Sequence, residues 1–187
     1  MTSEVVVEKK KLDKPPLEIH TLGDRVLRQP AKRVAKVDAE IRQLVREMLQ
    51  TMYTADGIGL AAPQVAVHKQ LIVIDCEPDN AANQPLVLIN PAIKAASREL
   101  CVAQEGCLSI PQVYLDVRRP EAIEVSFKDE YGRPRTISAN GLLARAIQHE
   151  MDHLNGILFV DRVENGLALN QELKKYGFST QAVKPIE

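Results

Sequence analysis

The clearest candidate for chemistry is the segment HEMDH at residues 149–153. Side chains four residues apart lie on one face of an α-helix, so His149 and His153 can bind the same cation. Glu150 follows the first histidine, where its carboxylate can face a water molecule bound to that cation. Apolar residues within 142–147 indicate a buried helix, in which two unpartnered histidines would be costly. The pattern therefore predicts a metal-binding helix.

The third metal ligand decides the class of enzyme. A histidine six residues after His153 would indicate a metzincin protease, but that position is Phe159. Three acidic candidates lie close to the helix end with little chain left: Asp161, Glu164 and Glu172. The remaining good candidate is the thiol of Cys107, in the sequence EGCLS, beside a glycine that allows close approach of the backbone. Cys76 and Cys101 lie in apolar segments, and we assign them to packing.

A third distinctive stretch, GIGLAAPQ, covers residues 57–64. Gly57 and Gly59 bracket Ile58 and permit unusual backbone angles and close approach of another chain. The alternative is an ordinary loop after a helix C-terminus. The stretch lacks the GxGxxG spacing and the terminal Lys-Ser/Thr of nucleotide-binding motifs, which excludes a phosphate loop.

These segments need a scaffold, for which the sequence predicts an α+β domain. A first helix begins near Asp38, carries one apolar stripe and ends at Asp56-Gly57. The metal helix follows Asn140, which we expect to cap it, and ends at Gly156, while a shorter helix covers about 165–175. The predicted strands are 71–75, 86–90, 113–117, 123–127 and 135–138, with a hairpin turn at 129–132. Strands in the middle and helices at either end argue against a βαβ repeat.

Composition places the chain among single-domain globular proteins. It has 187 residues, 45% of them hydrophobic, and 24 Lys and Arg against 25 Asp and Glu, for a net charge of −1. Balanced charge excludes a strongly basic face for nucleic acid, and the apolar runs are too short to cross a membrane. The three cysteines are too few for a disulfide framework, so we expect a protein of the reducing cytoplasm.

We expect a central domain between two tails. Residues 1–16 are charged, which predicts a flexible polar tail, and their apolar run at 5–7 is too short for a signal peptide. Residues 17–176 would form the catalytic domain, and residues 177–187 a C-terminal tail. Because the first tail has little apolar surface to bury, we expect its deletion to matter little for activity or stability.

Three motifs stand in order along the chain: GIGLAAPQ at 57–64, EGCLS at 105–109 and QHEMDH at 148–153. Together they closely resemble the peptide deformylase family, metalloenzymes that remove the N-formyl group from newly made proteins. The resemblance extends from about residue 17 to residue 163 and is much more specific than the HExxH spacing alone. It implies a compact α+β domain with antiparallel β-sheets packed around the central metal helix.

The resemblance also implies a complete catalytic metal site. Its ligands would be Cys107, His149 and His153, and Glu150 would be the general acid–base residue. Members of the family use Fe(II) naturally, and zinc, nickel or cobalt can replace it in purified protein. A thiolate and two neutral imidazoles leave a divalent cation electrophilic, with an open position for the water that attacks the formyl carbon.

The same resemblance implies where the substrate lies. Gln64 and the backbone N–H of Leu108 would hold the formyl oxygen. The backbone around Ile58, Gly59 and Gly106 would form the edge along which the peptide lies. The expected partners are nascent formyl-methionyl peptides in the bacterial cytosol, with transient ribosome contact through lysines near the C-terminus, and neither nucleic acid nor membrane.

Some interpretations stay open at this point. We expect Glu105 to order the Cys107 loop through hydrogen bonds, whereas Asp152 is either a support for the site or a surface carboxylate. Arg145 and Tyr114 stand where the family's usual substrate contacts cannot be assumed, so side-chain preference beyond methionine is open. The rival functions are another metal-dependent amide hydrolase and a non-catalytic metal-binding module. A closed structural site normally needs four protein ligands, and the sequence offers three convincing ones.

Overall fold

The first helix follows its local sequence signals closely. In the computed structural model, which describes residue 5 and residues 7–186, α1 spans Ala39–Thr54. The Asp38 carboxylate caps α1 by accepting a hydrogen bond from the N–H of Ile41 at 3.0 Å. The apolar stripe of the helix is buried: Ile41, Val45, Met48, Leu49 and Met52. The predicted start and the predicted stripe are both confirmed.

The strands form antiparallel sheets around the middle of the chain. Within residues 7–186 they are β1 (Gly59–Ala61), β2 (Leu71–Ile74), β3 (Leu86–Ala96), β4 (Leu100–Cys107), β5 (Ile110–Pro120), β6 (Ala122–Lys128) and β7 (Pro134–Asn140). These strands make a five-stranded sheet, ordered β1-β2-β3-β6-β7, and a two-stranded sheet of β4 and β5. A turn containing Gly132, with φ of 80°, joins β6 to β7 as predicted.

The predicted metal helix is α2, Gly141–Leu154, and it lies between the two sheets. Ala144 and Ile147 belong to the apolar face that packs on the five-stranded sheet. On the opposite side, Arg145 donates a hydrogen bond to the Val117 carbonyl of β5 at 2.9 Å. The predicted α+β domain with antiparallel sheets around a central helix is confirmed.

The last two helices begin with different caps. Asn140 occupies the N-cap position of α2, but its side chain caps no backbone N–H in the part of the chain that the structure describes, so the predicted capping bond is wrong. The third helix, α3, spans Gly166–Lys175, and the Asn165 side chain accepts from the Ala168 N–H at 3.0 Å. None of the described helices is both long and apolar enough to cross a membrane.

The described part of the N-terminal segment lies against the domain, which differs from the free tail that the sequence predicts. Val5 and Val7 pack on the core around α1. The Lys9 ammonium forms an ion pair with Asp75 at 2.6 Å. Polar and charged contacts hold much of this segment, and low apolar content gave no sign of them. The boundary at residue 16 stays a prediction.

The C-terminal segment also returns to the domain. Phe178 and Val183 pack on the core beneath the two-stranded sheet. The N–H groups of Lys184 and Ile186 donate to Asp161, at 2.8 Å and 3.0 Å. The predicted tail at 177–187 is therefore in contact with the domain over its described part, and Glu187 lies outside the described residues.

Candidate active site

Cys107, His149 and His153 meet between the two sheets. Cys107 is the last residue of β4, and the histidines lie one turn apart on α2. Each offers one ligand atom, and the three atoms lie within 4.8 Å of one another. The Cys107 sulfur is 3.4 Å from His153 Nε2. No other trio of potential ligand side chains gathers this closely among residues 7–186.

The acidic alternatives for the third ligand point elsewhere. Asp161 is bound by Arg28, with the closest contact at 2.6 Å, and Glu164 pairs with Arg118 on the surface at 2.9 Å. Glu172 lines a separate cavity beside β5 and α3. The Cys107 thiol is therefore the candidate third ligand that the fold brings to the histidine pair.

The two histidines differ in their protonation, which decides how readily each can bind a divalent cation. His149 donates its Nδ1–H to Glu105 at 2.8 Å, which leaves Nε2 as the ligand atom. Burial lowers the pKa of His153 well below its ordinary value and keeps that ring neutral. Burial also opposes charge on His149, but Cys107 and Glu105 outweigh it and raise the pKa of His149. Because metals bind neutral imidazole, a metal ion at His149 competes with a proton.

A buried set of charged side chains, which we call the Glu105 network, supports the histidine helix. Arg119 donates to both oxygens of Glu105, at 2.6 and 2.8 Å, and to Asp152 at 2.9 Å. Arg145 also donates to Glu105, at 2.6 Å, and Arg162 donates to Asp152 at 2.7 Å. Burial alone would raise the pKa of Glu105, but the hydrogen bonds and positive charge of Arg119 and His149 lower it well below its ordinary value.

The network gives Glu105 and Asp152 supporting roles, and it contains Arg119, which the sequence did not single out. Glu105 directly orients His149, a broader role than ordering the Cys107 loop, and Asp152 is a buried support for the site. Sequence reasoning missed Arg119, which is only 3% exposed. A signal was available, because β5 alternates buried and exposed residues and Arg119 falls at a buried position. A charged residue there indicates a buried ion pair.

Glu150 is buried beside Cys107, His149 and His153, which we call the ligand cluster. Its Oε2 has no hydrogen-bond partner within the described structure. Burial raises the pKa of Glu150 to about 7. A carboxyl group that titrates near neutrality can both accept and return a proton. Its other oxygen lies so close to Gly59 that a Cβ there would come within 2.5 Å of Oε1. A side chain at position 59 would therefore have to displace the Glu150 carboxyl group.

Gln64 reaches the cluster from the short 3₁₀ turn that follows β1. Its Oε1 accepts a hydrogen bond from the Ala61 N–H at 2.9 Å. Its Nε2 donates to Ser109 Oγ at 3.0 Å and lies 3.5 Å from the Cys107 sulfur. Because the oxygen is held by the backbone, Gln64 turns its N–H₂ donor toward the cluster.

An open cleft of about 480 Å³ leads to these groups. Gly57–Gly59 and Gly106–Leu108 line it together with His149 and Glu150. A Cβ at Gly57 would come within 2.6 Å of Leu108 Cδ1, and one at Gly106 would collide with the Tyr114 ring. A cavity of about 530 Å³ beside β3, β6 and β7 has neither His nor Cys in its lining. The smaller cleft is therefore the one that carries chemistry.

Taken together, these groups suit hydrolysis of an amide in an extended chain. The ligand cluster can hold a Lewis-acidic cation, Glu150 can transfer a proton, and Gln64 offers a donor for developing negative charge. Gly57, Gly59 and Gly106 line the cleft beside these groups, so a substrate backbone can approach closely there.

Known proteins resemble this chain along nearly all of its length. The sequence model of the polypeptide deformylase family matches residues 16–167. A peptide deformylase of Microchaete diplosiphon is 73% identical over 186 residues, covering 100% of both chains. The crystal structure of a peptide deformylase from Synechococcus elongatus in complex with actinonin has a TM-score of 0.95 at 68% identity, covering 96% of this chain and 98% of that one. A class I type b peptide deformylase from Acinetobacter baumannii, bound to Met-Ala-Ser, has a TM-score of 0.73 at 35% identity, covering 79% and 98%.

The fold, the ligand cluster and these similarities agree on one assignment. The matched residues 16–167 contain all three motifs, and the relatives are aligned over almost their full length. The chain belongs to the polypeptide deformylase family, metal-dependent enzymes that remove the N-terminal formyl group from nascent polypeptides.

Proposed function

We propose that Cys107, His149 and His153 hold one divalent metal ion, which is Fe(II) in the cell and can be replaced by zinc, nickel or cobalt. The observation that carries this proposal is the convergence of the three ligand atoms beside the buried Glu150. One thiolate and two neutral imidazoles leave positive charge on the cation, and three protein ligands leave a position open. The cation supplies Lewis acidity, which makes water acidic and polarises a carbonyl.

Glu150 moves the proton during hydrolysis. It accepts a proton from the attacking water and returns it to the departing amine of methionine. A pKa of about 7 supports both steps at physiological pH. The short distance of 2.5 Å between Glu150 Oε1 and the position of a Cβ at Gly59 supports a role beside the proposed path of the peptide.

Gln64 and the backbone N–H of Leu108 stabilise the formyl oxygen as negative charge develops on it. The support for Gln64 is its Nε2, which lies 3.5 Å from the Cys107 sulfur. Leu108 directly follows Cys107 and lines the same cleft. Loss of one such donor typically costs about 10²–10³ in rate.

The peptide lies extended along Ile58, Gly59 and Gly106. β1 pairs with β2 and β4 pairs with β5, so each strand has one side unpaired within the described residues, and both border the cleft. An extended peptide can add to such an edge through main-chain hydrogen bonds. The Met-Ala-Ser bound to the Acinetobacter baumannii relative has the length and composition expected of a product of this reaction.

The substrates are nascent formyl-methionyl peptides in the bacterial cytosol. We include a transient contact with the ribosome, made by Lys174 and Lys175. Both lysines are exposed in the last turn of α3, where their positive charge is free to meet an anionic surface.

The test compares kcat/KM for formyl-Met-Ala-Ser and acetyl-Met-Ala-Ser at one metal loading. The acetyl methyl group would meet the Gly57–Gly59 backbone and Leu108, which leave little room to adapt. One methylene in a yielding pocket is worth about 10–200-fold, and overpacking a rigid site adds about 1–3 kcal/mol. We therefore expect the formyl peptide to be preferred by at least about 10³-fold. A ratio near one favours a general amide hydrolase.

Glu150→Gln provides the matched control for this assay. It keeps the metal but loses turnover by about 10²–10⁴, because an amide cannot transfer the proton. Glu40→Gln, an exposed change in the first turn of α1, leaves turnover intact. A wild-type protein with its metal bound but no turnover on either peptide favours a non-catalytic metal-binding module.

A further inference from the structure

Residues 7–17, which we call the N-terminal strap, cross the domain beside the cleft. The family's sequence model begins at residue 16, so nearly all of the strap lies outside it. The strap lysines at positions 9–11 line a cavity of about 320 Å³ together with Asp56 and Gly57. These last two residues also line the catalytic cleft. The strap is therefore a near neighbour of the site, although the reaction chemistry gives it no role.

Lys9 anchors the strap on a buried carboxylate. Its ammonium lies 2.6 Å from Asp75 Oδ2 and donates to the Asn80 carbonyl at 2.8 Å. Asp75 is 1% exposed and also accepts from the Tyr53 hydroxyl at 2.7 Å and from Asn83 at 2.8 Å. A buried, multiply bonded carboxylate holds a fixed position, so Lys9 binds a rigid part of the domain.

Asp75 connects this anchor to Ile58 and Gly59, the part of the proposed peptide path that we call the substrate edge. Its backbone N–H donates to the Ile58 carbonyl at 2.8 Å. Asp75 follows β2 directly, and β2 pairs Ile74 with Gly59. The ion pair with Lys9 therefore lies one residue away from the hydrogen bonds that place Ile58 and Gly59.

The strap holds the other flank of that edge as well. The Leu12 N–H donates to Thr54 Oγ1 at 3.3 Å, and Lys11 forms an ion pair with Asp56. Thr54 ends α1, and Asp56 directly precedes Gly57. Asp56 has a φ of 59°, a conformation that most side chains avoid and that neighbouring contacts must maintain. The strap thus contacts both the chain that precedes the substrate edge and the end of the strand that pairs with it.

We propose that the N-terminal strap positions the substrate edge at Ile58–Gly59, and that Lys9 is its principal positioning residue. The inference rests on the proposed function of that edge. Main-chain pairing with a peptide requires N–H···O distances of about 2.7–3.2 Å, so a displaced edge binds peptide less well. The ligand cluster belongs to α2 and β4, and neither element makes these contacts with the strap. Loss of these contacts therefore affects substrate binding rather than metal binding.

The experiment replaces Lys9 with an uncharged side chain of similar length in the full, metal-loaded chain. We expect Lys9→Met to raise KM for formyl-Met-Ala-Ser about tenfold, below the ~10²-fold cost of a 1 Å misplacement, with kcat and metal content within about twofold. Lys9→Arg restores most of the binding because it keeps the charge. Lys10→Met, which removes only the exposed ion pair with Glu8, has the wild-type KM. A Lys9→Met KM within about twofold of wild type overturns the proposal.

A second measurement keeps the test decisive if Lys9→Met folds poorly. Lys11→Met removes an exposed ion pair and leaves the buried anchor intact. We expect it to raise KM about twofold to threefold and to speed amide exchange at Ile58 and Gly59. Unchanged KM and unchanged exchange overturn the proposal. Failure of wild-type protein to hydrolyse formyl-Met-Ala-Ser would instead overturn the proposed function.

Discussion

Two buried groups of charges stabilise opposite sides of the cleft. The Glu105 network joins β4, β5 and α2 behind the ligand cluster. The second group, which we call the Asp75 cluster, consists of Asp75, Lys9, Tyr53 and Asn83 and lies behind the substrate edge. The first fixes side chains that could bind metal, and the second fixes a backbone that could bind peptide. The proposed chemistry and the proposed substrate placement therefore have separate supports in this fold.

The two groups also differ in their origin within the chain. All members of the Glu105 network lie within the part matched by the family model, residues 16–167. The Asp75 cluster receives its cation from residue 9, outside that part. We therefore expect mutations in the first group to change metal binding and stability, and mutations of Lys9 to change peptide binding and stability but not metal binding.

The largest effect should come from Arg119→Met. This change removes the cation that binds both oxygens of Glu105 and one of the two cations that bind Asp152, and breaking a buried pair in this way typically costs about 3–5 kcal/mol. The free energy of unfolding from urea titration measures the loss. Arg118→Met is the matched control, because its ion pair with Glu164 is exposed and worth about 0–1 kcal/mol. Equal losses for the two variants would contradict the stabilising role of the network.

Glu105→Gln should weaken metal binding while it keeps the side-chain shape. The amide oxygen can still accept from His149, but it no longer carries the charge that favours the Nδ1 proton. Loss of such a support typically costs about 10–100-fold in metal affinity. Competition with a chelator measures that affinity. Glu99→Gln, an exposed change next to β4, serves as the control. Wild-type affinity in Glu105→Gln would remove the distinction between the two groups.

The smallest expected effect is a pH-dependent stability difference between Lys9→Met and wild type. Burial alone would raise the pKa of Asp75, but hydrogen bonds from Lys9 and Tyr53 lower it below its ordinary value. A carboxylate with a lowered pKa adds stability above its unfolded pKa of about 3.9 and loses it as pH falls through the folded value. We therefore expect a loss of about 1–3 kcal/mol at pH 7 that shrinks below about pH 4. Urea titrations at both pH values measure it, and a difference independent of pH would be the contrary result.

The sequence predicts a helix or strand wherever its own residues carry a clear pattern. The stripe of α1 and the cap at Asp38 are clear, and α2 follows from its apolar face. β1 is only three residues long, and β4 mixes polar residues with glycine, so neither has a pattern that identifies it as a strand. Without such a pattern, the sequence did not predict these two strands, although both border the cleft.

The candidate site shows the same division between local and long-range information. The motifs carry the ligand cluster, Glu150 and Gln64, and the fold brings these residues together. Arg119 and Lys9 lie outside the motifs, and their partners are distant in sequence. Composition predicted a free tail at residues 1–16, because ion pairs and hydrogen bonds leave no apolar signal.

The central claim is that Cys107 completes a catalytic metal site with the two histidines of α2. Its most direct test is the metal-to-protein ratio of Cys107→Ala, measured by elemental analysis beside wild type and Cys101→Ala. Cys101 lies on the same strand, β4, but outside the ligand cluster. We predict about one metal ion per chain for wild type and Cys101→Ala and a strongly reduced ratio for Cys107→Ala. Wild-type metal content in Cys107→Ala would show that Cys107 is not a metal ligand.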